Sequence, residues 1–151
     1  MPAARCRRVS PRRLTREVHH GRRFAVEVPE LIDEFVGDWR VVELAKKGIP
    51  VELGGAEPAR FKFLEDDTGE LQLAGIDGYM RCRFGETLDG LPMVRFKWEG
   101  HVASKEARGT GFGMLYFDDD MLRGEVKVNR RVECWFVARR ERPRVRPRYL
   151  A

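Results

Sequence analysis

Val94-Arg95-Phe96-Lys97-Trp98-Glu99 alternates without a break. Apolar side chains fall on one side of an extended chain and charges on the other, a period of two. Leu122-Arg123-Gly124-Glu125-Val126-Lys127-Val128 repeats the pattern further along. Each stretch reads as a strand with one dry and one wet face. Working outward, strands are expected at 38–45, 59–65, 70–76, 78–84, 92–100, 109–117, 121–128 and 131–139, with a weaker piece at 49–53. Turn residues punctuate them: Asp66-Asp67-Thr68-Gly69, Asp77-Gly78 as a two-residue hairpin, Asp118-Asp119-Asp120 and Asn129-Arg130. Upstream, residues 29–36 read as a short helix. Pro29 suits its first turn, acids lie near its positive end, Leu31 and Phe35 share a face, and Gly37 ends it.

About eight antiparallel strands, nearly without helix, leave an up-and-down barrel or a two-sheet sandwich. Hairpin-length links favour the barrel, and closure removes sheet edges. The expected fold is all-β: a single antiparallel up-and-down barrel, lipocalin-like, with a short N-terminal helix. It occupies residues 24–140, between a basic segment 1–23 and a basic segment 141–151.

The chain has 151 residues and a net charge of +5, a length suited to one domain. The charge is unevenly placed. Residues 1–23 hold eight Arg and one acid, and residues 139–151 hold six Arg and one acid. Residues 24–138 hold 15 basic and 22 acidic residues. The body is therefore acidic and its two ends basic. The ends show no hydrophobic period and read as disordered. The longest uncharged run of the body, 109–117, has nine residues, well short of a membrane-spanning helix. No secretory signal is legible. Three cysteines, Cys6, Cys82 and Cys134, suit a reducing cytoplasm better than a disulfide framework.

Phe35-Val36-Gly37-Asp38-Trp39-Arg40-Val41 resembles the calycin barrels, meaning lipocalins and intracellular fatty-acid-binding proteins. Those families carry Gly-x-Trp where a short helical turn enters the first strand. The resemblance implies that Gly37 and Trp39 close one end of the barrel, with Arg139 or Arg140 packed across the indole. A guanidinium on an indole face is held by cation–π attraction. The later pattern Trp98-Glu99-Gly100, Gly109-x-Gly111, Leu122-x-Gly124 and Phe136-x-Ala138-Arg139 looks like that of small bacterial calycin-like barrels. The chain departs from fatty-acid-binding proteins in lacking their paired helices and their final-strand Arg-x-Tyr. The resemblance implies a fold and a lumen and brings no ligand with it.

Under one choice of register, Phe61, Phe63, Met80, Phe84, Phe96, Trp98, Phe112, Met114 and Tyr116 all face inward. They either fill the core or line a pocket for a small apolar or amphipathic ligand. Gly109, Gly111 and Gly113 share one face of a strand, which suits strand coiling or close approach of a neighbouring aromatic. An alternative function is a small barrel enzyme of the isomerase, cyclase or hydratase type. Its candidate acid–base groups are His101 with Tyr116 or Glu43. A third reading is an adaptor whose Arg-rich ends grip nucleic acid, an acidic partner or an anionic surface. No spacing of His, Cys or acids suits a metal, and no cofactor is expected.

Overall fold

Strand pairing decides whether alternating segments close on themselves. The computed structural model describes residues 24–53, 59–73 and 75–141. Its strands are β1 (Phe24–Glu27), β2 (Gly37–Lys46), β3 (Ile49–Pro50), β4 (Arg60–Phe63), β5 (Thr68–Leu73), β6 (Ile76–Thr87), β7 (Pro92–Val102), β8 (Lys105–Tyr116), β9 (Met121–Val128) and β10 (Arg131–Arg140). β2 and β4 to β10 pair antiparallel in sequence order, and β10 pairs back onto β2. The ring is a closed eight-strand up-and-down barrel with no free edge among those strands. β1 extends one edge of β6 beyond β5, and β3 adds to the end of β2. The segments 1–23 and 142–151, with their expected disorder, lie outside the described residues.

A 3-10 turn, Pro29–Leu31, runs into helix α1 (Ile32–Phe35). Gly37, at φ +124°, reverses the chain into β2 as only glycine does easily. Phe35 and Trp39 are then both fully buried, and the indole Nε1 donates to the Phe35 carbonyl at 2.8 Å.

Two turns differ from the expected ones. Asp77-Gly78 is no hairpin; both residues lie inside β6, paired with His101 and Gly100. The reversal comes earlier, with Leu73 opposite Ile76 and Gly75 at φ +85°. Gly78 is glycine for space: a Cβ there would meet the Glu99 carbonyl at 2.6 Å and Trp98 at 3.0 Å. β7 and β8 run on to Val102 and Lys105, joined by Ala103-Ser104 at φ 51° and 74°. Two positive φ values fit a type I′ turn, for which Asn-Gly is the favoured pair. An L-residue in this region costs about 1 kcal/mol. Ser104→Gly is expected to raise the stability by about 1 kcal/mol. The midpoint of urea unfolding measures it, and a fall in that midpoint would contradict the turn.

Candidate functional site

The lumen comes first, because the apolar faces pointed there. Trp39, Phe61, Met80, Phe96, Trp98 and Phe136 each expose 3% or less of their surface. A hollow able to hold water would leave its lining accessible. These side chains face one another instead. Phe61 packs against Phe136 at 4.4 Å between ring centroids and against Phe96, from β7, at 6.1 Å. β7 lies three strands round the ring from β4, so that contact crosses the lumen. The barrel is filled at that level.

β8 is turned the other way from the expected register. Phe112 and Met114 form a separate cluster with Met93, with Phe24 and Tyr116 packed against it. The inward positions of β8 are Ala107, Gly109, Gly111, Gly113 and Leu115. The reason is steric. The inner surface beside β8 is already occupied by rings from β7. The Phe96 ring lies where a Cβ on Gly111 would sit. Trp98 crosses Gly109 to donate its indole N–H to the Lys127 carbonyl at 3.0 Å. Phe112, Met114 and Tyr116 are outer-face residues, whereas Phe61, Phe63, Met80, Phe84, Phe96 and Trp98 belong to the inner core.

At the helix end, Arg140 lies 4.3 Å from the centre of the Trp39 ring system. Its guanidinium also donates to the Glu34 carbonyl at 3.0 Å and approaches Asp120 at 3.5 Å. Arg139 points outward and is exposed.

The acid–base candidates do not meet. His101 is exposed at the far end of β7, opposite Glu106, while Tyr116 ends β8 at the helix end. Ten residues of strand separate Glu106 from Tyr116, about 34 Å at strand rise. Glu43 is exposed on β2. Cys82 and Cys134 are buried, and burial pushes each thiol up to about 12. Neither is a nucleophile at neutral pH. Among the described residues no group of His, Cys, Asp and Glu is placed to hold a metal.

What the sequence reading missed lies on the outer face of β6 to β9. Register puts Arg81 opposite Lys97, Lys97 opposite Thr110 and Thr110 opposite Lys127. The next row runs Arg83, Arg95, Phe112, Glu125 and Trp135. The first row crosses four strands, about 14 Å. It forms the floor of a groove of about 950 Å³ and continues into a second of about 800 Å³ that shares Arg81, Lys97 and Thr110. Arg83 is held by Glu27 at 2.8 Å, a hydrogen bond that raises its already high pKa. Arg95 lies 5.5 Å from the Phe24 ring centre. Arg81, Lys97, Arg108 and Lys127 form no ion pair among the described residues. Glu125, 1% exposed, lies between Phe112 and Trp135. At the rim, Asp66 accepts from the Thr68 hydroxyl and amide, which lowers its carboxyl pKa and closes the turn.

The signal was present in the sequence. The wet faces of β6 and β7 carry four cations, Arg81, Arg83, Arg95 and Lys97, beside the acids Asp77 and Glu99. The net acidity of the body hid them, because most of its acids lie elsewhere, as in the turn at 118–120 and the helix at 33–34, although Asp66 and Asp67 stand at the rim of the groove.

The closed eight-strand barrel is compatible with a calycin-like fold. No family model, no curated protein and no solved structure matches this chain. No helix among the described residues is long and apolar enough to cross a membrane.

Proposed function

We propose that this barrel is a binding module for an anionic ligand, carried in the basic groove on the outside of β6 to β9. One observation carries the reading. Arg81 stands directly opposite Lys97, and Arg83 directly opposite Arg95. Like charges facing each other across a ladder destabilise a sheet. Arg81 and Lys97 are left without a carboxylate partner among the described residues, at the point where the two grooves join. A bound anion relieves that repulsion, and the Thr110 hydroxyl between Lys97 and Lys127 supplies a further donor. The apolar faces that suggested a luminal ligand instead account for the packed core, so the ligand is sought outside.

The test uses Lys97→Glu. It replaces a repulsive cross-strand pair with an attractive one, so the fold is expected to gain about 0.5 kcal/mol. Binding of inorganic polyphosphate, followed by calorimetry at low salt, is expected to weaken at least tenfold. The wild-type affinity should also fall steeply with salt. Unchanged polyphosphate binding in the variant would sink the reading.

A further inference from the structure

We infer that the anion is a single-stranded nucleic acid, with a base stacked on Tyr79; this rests on the anion-binding reading above. Tyr79 is 73% exposed, the most exposed of the large hydrophobic side chains among the described residues. An exposed ring on a sheet face offers apolar area that the fold itself leaves uncovered. Tyr79 lies on the outer face of β6, two residues from Arg81 and on the same side. It lines the groove that also contains Arg81, Lys97, Arg108 and Arg130. Cations that track a phosphate backbone, beside an aromatic platform, are the combination that single strands use.

Charge alone suits any polyanion. The ring selects among them: a simple phosphate polymer has nothing to stack, and a duplex keeps its bases in its own stack. A single strand presents both phosphates and open base faces. Tyr79 stands between two acids, Glu70 of β5 and Glu99 of β7, which keep phosphates off the ring, while Arg81, Lys97 and Arg108 line the same groove. The strand therefore runs with its phosphates along Arg81, Lys97 and Lys127 and its base toward Tyr79.

Fluorescence anisotropy of the full chain with labelled oligothymidylate, about 15 nucleotides long, tests this. Duplex of equal length, inorganic polyphosphate and phosphatidylserine vesicles serve as competitors. The single strand is expected to compete best. Tyr79→Ala should weaken the single strand about tenfold and leave polyphosphate unchanged, while Tyr79→Phe restores the wild-type value. If polyphosphate binds but Tyr79→Ala has no effect on the single strand, the inference fails and the anion-binding reading stands. Preference for the duplex or for vesicles also overturns the inference alone. If none of the probes binds in a salt-sensitive way, both fall.

Discussion

Phe61→Ala is expected to destabilise the barrel by about 4 kcal/mol, the range for truncating a buried aromatic without collapse of its surroundings. The ring is fully buried and touches Phe63, Phe96 and Phe136. Those neighbours come from β4, β7 and β10, so no single strand movement fills the gap. Urea unfolding followed by the fluorescence of buried Trp39 and Trp98 measures the loss. The melting temperature should fall by about 15 °C. Benzene should recover part of that loss by occupying the new space, as apolar engineered cavities do. A loss below about 1 kcal/mol would contradict a filled lumen, since a ring at the edge of a hollow has few contacts to lose.

The barrel strands and their order were legible because most of them alternate over part of their length and each pairs with the next strand of the ring. Residues 121–128 form β9 at the expected bounds. β8 was legible as a strand but not by face. Its large residues, Phe112, Met114 and Tyr116, alternate with Gly109, Gly111 and Gly113. Period two shows that there are two faces; which one points inward depends on the space left by other strands. Here Phe96 and Trp98 had taken it. The β7–β8 hairpin was missed for a local reason, since Ala103-Ser104 is poor turn chemistry held in a turn by long ladders on both sides.

Summed charge was the least informative quantity for the site. It averages acids spread over turns, helix and strand faces with the cationic outer rows, which differ from them in sign. Face-by-face charge is the useful measure, because screening confines each patch to about 10 Å. On that measure Arg81, Arg83, Arg95 and Lys97 stand out, and His101 and Tyr116, at opposite ends of the β7–β8 hairpin, do not form a pair.

Gly100→Ala and Gly124→Ala are each expected to cost about 3 kcal/mol, more than Gly113→Ala. The three differ in what a methyl group meets. At Gly100 it would run into the Asp77 carbonyl oxygen, and at Gly124 into the Phe112 carbonyl oxygen, both fixed parts of a neighbouring strand. At Gly113 it would meet the Leu122 side chain at 2.9 Å, which has rotamers with which to yield. Glycine faces glycine at both tight places, Gly78 opposite Gly100 and Gly113 opposite Gly124. These pairs let β6 to β9 coil closely enough to close around two tryptophans and several phenylalanines. Pushing either pair apart opens the ladder as well as the core. Chemical unfolding of the three variants gives the order directly. Equal losses at all three would mean that missing side-chain volume, rather than backbone approach, selects these glycines.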